Sequence, residues 1–358
     1  MQLNSNHINL KGLDRIELES YVQSWGEPKY RAKQLMSWIY QKGISDFESM
    51  TNLPKSFRHT LSSQATISRT EIVTSSVSTD DKSIKYLFRL SDGKQVESVL
   101  MFDQQRITAC LSSQFGCAMG CQFCATGKMG FFKNLTTAEI LDQFMGIEQE
   151  LGREKSITNV VFMGMGEPFA NYKPTIKAIR LLCNPETIGM AERRITVSTV
   201  GLAPQIRRFA NEGLKCKLAL SLNATTNADR SQLMPINFQF PIDEILSATK
   251  HWAKTTGELA TLEYVLIRGI NDRTKDAERL CQLMANLPCK LNIIPFNEIE
   301  DSNFQRPDAN AIENFQKIIT QNHYVAPIRF SKGNDITAAC GQLRTIYHQA
   351  GKTMTGMI

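Results

Sequence analysis

From about Ile107 onward the chain alternates short apolar runs with amphipathic stretches, and this alternation limits its fold more than any other feature. The apolar runs lie at 157–163, 195–199, 216–222, 261–267, 290–296 and 325–330. Between them, Thr137 to Leu151, Pro204 to Asn211, Ile242 to Thr255 and Thr274 to Leu287 place apolar residues at helical spacing. Strands separated by helices of this length return in parallel, so the pattern predicts an α/β fold with a parallel sheet, open or curled into a full or partial barrel. Either form gathers its functional groups at the carboxyl ends of the strands.

The first third of the chain reads differently. Residues 12 to 65 are predicted helical: Tyr30 to Tyr40 sets Leu35, Trp38 and Ile39 on one face, Gly43 is a stop, and Pro54 lies near the start of another short helix. Glu71 to Ser78, Ser83 to Leu90 and Gln95 to Phe102 are then rich in β-branched and aromatic residues. Asp80-Asp81 and Asp92-Gly93 separate them, which predicts a small antiparallel sheet. The resulting division is a helical accessory unit over 1–68, a β extension over 69–104, a core over 105–345 and a tail over 346–358.

Of the 358 residues, 42% are hydrophobic and 21% charged, which excludes wholesale disorder. A net charge of +6 permits contact with RNA without requiring it. No run approaches the roughly 18 apolar residues that a membrane span needs, and Met1 to Leu13 lacks the basic-then-apolar order of a signal peptide. The expectation is a cytoplasmic protein with no membrane partner. Nine cysteines in a reducing compartment read as ligands, nucleophiles or core residues rather than as a disulfide framework.

Cys117, Cys121 and Cys124 form a C-x3-C-x2-C array in a glycine-containing loop. Three thiolates this close can converge on a soft metal centre. Complete iron–sulfur sites usually use four cysteines, so three local ligands would leave one iron open to a small molecule. Spacing alone also admits a zinc site completed by Cys110 or a histidine, and a chance cluster of core cysteines.

The array, with Phe123 before its last cysteine, resembles the signature of the radical S-adenosylmethionine superfamily. Phe162-Met163-Gly164-Met165-Gly166-Glu167-Pro168 is similar to the superfamily segment that meets the amino end of the methionine moiety. Further segments narrow the match: Glu27 to Gln34, Met50 to Pro54, Cys110 to Gln114, Leu233 to Asn237 and Ala338 to Leu343 resemble the bacterial RNA adenosine C2 methyltransferases. That resemblance implies a partial (β/α)6 TIM-like barrel with an N-terminal helical domain and a small β linker. It implies one [4Fe-4S] cluster on Cys117, Cys121 and Cys124, and S-adenosylmethionine held by Gly166, Glu167, Ser198, Ser221, Leu222, Asn223 and Asn297. The implied substrate is an adenosine of 23S ribosomal RNA, position 2503, with tRNA as a further substrate of some members.

The C2 carbon of adenine is not nucleophilic and cannot attack a methyl sulfonium. In the route the resemblance implies, Cys340 is first methylated and becomes the S-methylcysteine intermediate. A 5′-deoxyadenosyl radical takes hydrogen from that methyl group, and the carbon then adds to the adenine. Glu97 matches the proton acceptor, and Cys110 opens the adduct through a transient disulfide with Cys340. On an alternating strand Glu97 shares a face with Val99 and Met101, where burial would raise its pKa. Cys183, Cys216, Cys281 and Cys289 fit no motif and read as core.

Two positions depart from the family pattern: Asn223 stands where histidine is usual, and Thr337 where an acidic residue is usual, while Asp335 is retained. The resemblance also implies a reductase such as flavodoxin as electron donor and a monomeric chain. Arg193-Arg194, Arg207-Arg208, Lys215, Lys217, Arg329, Lys332 and Arg344, together with Lys29, Arg31, Lys33 and Lys42, are candidate phosphate contacts. The target adenine must leave its stack to meet Cys340, so unstacked or single-stranded RNA is expected. The alternatives are a C8-directed resistance methyltransferase, a zinc-dependent RNA-binding protein without catalysis, and an inactive RNA-binding relative.

Overall fold

The computed structural model describes residues 7–152, 154–300 and 302–345. The expected tail over 346–358 lies outside the described residues, as do residues 1–6.

The N-terminal unit is built from short helices around a pair of two-residue parallel strands, β1 (Ile8–Asn9) and β2 (Ala65–Thr66). Helix α1 (Arg15–Ser24) begins with a capping box in which Asp14 accepts from the Glu17 amide and Glu17 accepts from the Asp14 amide. Helix α2 (Tyr30–Met36) runs into a π-turn over Ser37–Gln41, and α3 (Lys55–Gln64) follows Pro54. Leu35, Met36, Ile39, Phe57 and Leu61 are buried, so the helical spacing read along the sequence is the spacing of the core face.

Strands β3 (Glu71–Val77), β4 (Ile84–Arg89) and β5 (Gln95–Asp103) form an antiparallel meander. They do not make a separate sheet. A tight turn carries β5 into β6 (Arg106–Cys110), which pairs antiparallel with β5 and parallel with the next core strand. An edge strand offers unpaired backbone groups, and this hairpin covers the edge of the barrel sheet with its own chain.

The loop after β6 holds a small hairpin, β7 (Gln114–Gly116) and β8 (Phe131–Asn134), with the four-residue helix α4 (Ala125–Lys128) between them. Helix α5 (Thr137–Leu151), capped by Thr136 and Glu139, leads to β9 (Asn159–Phe162) and α6 (Tyr172–Cys183). Then come β10 (Ile195–Thr199), α7 (Ala203–Ala210), β11 (Lys217–Ser221), α8 (Asn227–Leu233) and α9 (Ile242–Thr256). The barrel ends with β12 (Ala260–Leu266), α10 (Thr274–Met284), β13 (Cys289–Pro295) and α11 (Ala309–Gln321).

One nine-stranded sheet results, in the order β13-β12-β11-β10-β9-β6-β5-β4-β3. Its six strands from β6 to β13 are parallel, which is the partial (β/α)6 barrel. The expected strand at 325–330 is reduced to one bridge, Ile328 to Ile293. Pro327 has no amide proton to donate, which limits a ladder there. Among the described residues no helix is long and apolar enough to cross a membrane.

The N-terminal unit is tied to the barrel by a buried ion pair between Lys11 and Asp142 of α5, and by ion pairs of Glu17 with Lys177 and Arg15 with Glu186. Within the N-terminal unit itself, the Tyr40 hydroxyl accepts from the Gly12 amide at 2.8 Å.

Candidate active site

At the carboxyl ends of the parallel strands lies a cavity of about 170 Å³. Cys121, Cys124, Gly166, Glu167, Ser198, Ser221, Asn223, Asn297 and Cys340 line it, joined by Glu263. Leu222 does not: its side chain is in the core, its amide donates to Glu263 O at 3.0 Å and its carbonyl accepts from Arg230 Nε at 3.1 Å.

The cysteine loop is fixed by its backbone. The Cys117 amide donates to Gly130 O at 2.8 Å, and the Cys124 amide to Cys121 O at 3.2 Å. Gly127 lets α4 press onto this loop, since a Cβ there would stand 2.9 Å from Cys121 O. Cys117 and Cys121 are buried and Cys124 half-buried. Burial is the largest influence on their acidity: it pushes Cys117 up to about 12, Cys121 well above the ordinary thiol range and Cys124 upward. The thiols add to this through one another's charge, with Cys124 and Cys117 both acting on Cys121. Among the described residues no three His, Cys, Asp or Glu side chains are gathered tightly enough for a single metal ion. An iron–sulfur cubane asks instead for one thiolate on each of several irons. Its positive charge would reverse the cost of ionising buried thiols.

Glu167 is buried and its carboxylate accepts from the amides of Phe169 at 3.0 Å and Val200 at 2.9 Å. Burial raises its pKa to about 7 despite those amides. A ligand ammonium beside it would offset that burial and hold it ionised. Gly166 has φ +97°, and a Cβ there would fall 2.4 Å from Gln114 Cβ and 2.8 Å from Gln114 N. Gly166→Ala is therefore expected to lower the melting temperature by several degrees, about 1–3 kcal/mol, and to weaken S-adenosylmethionine binding at least ten-fold. Calorimetry of both quantities checks this, and unchanged values would contradict the assignment.

Asn223 adopts φ +57° and ties three segments together. Its Oδ1 accepts from the Val265 amide at 2.9 Å, its carbonyl from Asn271 Nδ2 at 2.8 Å, and its Nδ2 meets Met234 Sδ at 3.3 Å. Asparagine and histidine both tolerate the left-handed region better than most residues, so the exchange keeps the backbone conformation. Asn297 donates to Ser331 Oγ at 2.8 Å and to Cys340 O at 3.1 Å, and accepts from Arg306 at 3.1 Å.

The Cys340 segment rests on the cysteine loop. The Ala125 amide donates to Gly341 O at 2.7 Å and the Thr126 hydroxyl to Leu343 O at 2.6 Å. As a residue Cys340 is exposed, while protein surrounding its thiol raises the pKa, with Ser331 acting in the opposite sense. Surface exposure decides whether RNA can reach it. Cys110, buried at the end of β6, has its thiol pushed up by burial and then by the charge of Cys340, which lies within electrostatic range. Glu97 is buried on β5, 3.2 Å from Lys85 Nζ, and accepts from the Arg344 amide at 2.8 Å. Burial raises its pKa, while Lys85 and the Arg344 amide oppose the rise.

Three residues here escaped the sequence reading. Arg230 is fully buried, with Nε and Nη2 on the carbonyls of Leu222 and Val200 at 3.1 and 2.5 Å and Nη1 on Asn237 Oδ1 at 3.1 Å. It clamps the ends of β10 and β11, and burial lowers its pKa to about 10. Glu263, on β12, is raised to about 7 by burial. A lone carboxylate inside the apolar run 261–267 was its signal. Lys85 carried none.

The candidate RNA contacts separate. Arg193 and Arg194 are exposed, whereas Arg208 lies over the Tyr172 ring, Lys42 over the Trp38 ring, and Arg31 pairs with Glu27.

Residues 8–67 match the family model "Ribosomal RNA large subunit methyltransferase N-terminal domain", and 111–281 match that of the Radical SAM superfamily. The "Dual-specificity RNA methyltransferase RlmN" of Geotalea uraniireducens is 44% identical over 337 residues, covering 94% of this chain and 96% of that protein. The chain belongs to the RlmN family of radical S-adenosylmethionine RNA methyltransferases. The RlmN protein of Geobacter sulfurreducens is 43% identical over 337 residues, 94% of this chain and 92% of its own. A crystal structure of a radical SAM methyltransferase from Sphaerobacter thermophilus superposes with a TM-score of 0.89 at 43% identity, covering 94% of this chain and 99% of that one. Membership of the RlmN family makes the protein an RNA-methylating enzyme, and the radical SAM family implies S-adenosylmethionine and a [4Fe-4S] cluster.

Proposed function

We propose that the protein methylates C2 of an adenosine in 23S ribosomal RNA, at position 2503, and an adenosine of tRNA, with Cys340 carrying the methyl carbon. What supports the reading above all is that Cys340 borders the cavity that Cys121 and Cys124 line, with the Cys110 thiol in electrostatic range of Cys340 and Glu97 bonded to the Arg344 amide of the Cys340 segment.

The thiolates of Cys117, Cys121 and Cys124 would hold the cluster, and Gly166, Glu167, Ser198, Ser221, Asn223 and Asn297 would surround S-adenosylmethionine. When bound, these groups would supply the methyl group, the radical that removes one of its hydrogens, and an acceptor for the single electron left over once the carbon has joined the adenine. Cys340, exposed on its segment, takes up the methyl group on sulfur and presents it to the adenine. Glu97 accepts the proton that C2 gives up. The Cys110 thiol then gives up its proton and attacks the Cys340 sulfur; the sulfur–sulfur bond forms as the carbon–sulfur bond breaks, and the electron pair passes to the adenine-bound carbon, which takes up a proton to complete the methyl group. The same reading gives the enzyme a low-potential donor such as flavodoxin, a monomeric state and a cytoplasmic location.

Mass spectrometry of ribosomal RNA from cells lacking and regaining the gene tests the choice of carbon. The expected result is 2-methyladenosine that vanishes with the gene and returns with it. Gain of 8-methyladenosine alone would overturn the assignment.

A further inference from the structure

The segment that carries Cys340 is fastened to the β3–β4 turn as well as to the barrel. The Gly333 amide donates to Asp81 at 2.8 Å, and Asp335 accepts from the Ser78 hydroxyl at 2.7 Å and the Thr79 amide at 2.9 Å. Lys85 of β4 extends this contact toward the reacting groups. Its Nζ donates to Thr337 Oγ1 at 2.9 Å and lies 3.2 Å from Glu97 Oε1. Glu97 Oε2 in turn accepts from the Arg344 amide at 2.8 Å. A single ammonium–carboxylate pair therefore grips the segment before and after Cys340.

The sheet register explains why these two side chains meet. Lys85 stands opposite Val99 and Glu97 opposite Leu87, which makes them diagonal neighbours on one face of the β4–β5 pair. Thr337 sits at φ +51°, a conformation that a β-branched residue adopts only when its surroundings impose it. Lys85 reaches both its hydroxyl and, at 3.4 Å, its carbonyl.

We propose that Lys85 is a positioning residue: a latch that holds the Cys340 segment against the β extension and aims the Glu97 carboxylate at the same site. The part that concerns Glu97 as proton acceptor rests on the function proposed above, whereas the grip on the segment does not. Against Glu97 stand Lys85 from β4 and the Arg344 amide of the segment, while Cys110 on β6 lies opposite Val99, diagonal to it. The Arg344 guanidinium lies 3.6 Å from Glu300. Glu97 is already raised by burial, with Lys85 restraining the rise. Loss of the ammonium raises it further, so activity that needs the carboxylate ionised fails at a higher pH on acidification.

The test uses reconstituted holoenzyme carrying Lys85→Met, Lys85→Arg or Thr337→Val, each first checked by thermal melting. Amide hydrogen exchange in peptides covering 333–345 is expected to quicken about ten-fold in Lys85→Met, less in Thr337→Val, and to remain near the parent in Lys85→Arg. The acid limb of RNA methylation in Lys85→Met is expected to move up by about one pH unit, with Lys85→Arg restoring it. Unchanged exchange in Lys85→Met overturns the latch, whatever the activity. Faster exchange with an unmoved acid limb keeps the latch and removes Glu97 from the role of proton acceptor. Should Lys85→Met fail to fold, exchange in Thr337→Val decides: faster exchange supports the latch and unchanged exchange overturns it.

Discussion

Cys340→Ala is expected to reduce RNA methylation by at least about a thousand-fold while leaving the cluster's iron content, its visible absorbance and S-adenosylmethionine binding as they were. The size of the effect follows from the position of the thiol. Cys340 borders the cavity, and its exposure lets a substrate base approach. The segment is held by backbone and neighbouring groups that alanine preserves: Asn297 on Cys340 O, Ala125 on Gly341 O and Thr126 on Leu343 O. The variant therefore loses the methyl carrier and little else. Transfer of labelled methyl to RNA, read beside iron analysis, checks it. Retained methylation would refute the role given to Cys340.

Cys110→Ala should behave differently. The first turnover proceeds, because Cys340 still carries the methyl group and Glu97 is untouched. Release is then expected to fail, because the thiol proposed to open the adduct is gone. A covalent protein–RNA species is expected to accumulate to about one per enzyme, and free methylated RNA to fall at least about a hundred-fold. Removing a buried thiol costs roughly 1 kcal/mol through the cavity left behind, too little to unfold the chain. Denaturing gels and mass spectrometry of the trapped species read the outcome. Repeated turnover with no adduct would contradict the proposed release step.

Much of the barrel was legible because its strands are buried and apolar and its helices amphipathic. Strand β10 and helix α5 fall on the residues that the pattern predicted, and β11, β12 and β13 start within a residue of expectation. Local pattern does not encode which strands share a sheet. The β3–β5 meander read as a separate unit, yet β5 joins β6 through a turn whose pairing is long-range for the sheet though local in sequence. Residues 325–330 looked like a strand, but Pro327 limits the pairing.

The site was legible where its residue types are rare. Three clustered cysteines and a glycine-rich turn before Glu167 stand out in any chain. Arg230 and Lys85 did not, because a basic residue ordinarily belongs on a solvated surface. Only the tertiary structure shows Arg230 spanning two strand ends and Lys85 lying between Glu97 and Thr337. The side chain of Leu222 lies in the core, as alternation requires of a residue between two cavity-lining neighbours.

Methyl transfer from S-adenosylmethionine with a fully deuterated methyl group tests the central claim most directly. If Cys340 carries the carbon and one hydrogen is removed before it joins the adenine, the RNA methyl group retains two deuterium atoms and gains one hydrogen. Label must also be found on Cys340 in enzyme analysed before RNA is added. A methyl group delivered with all three deuterium atoms, and no label on Cys340, would contradict the account.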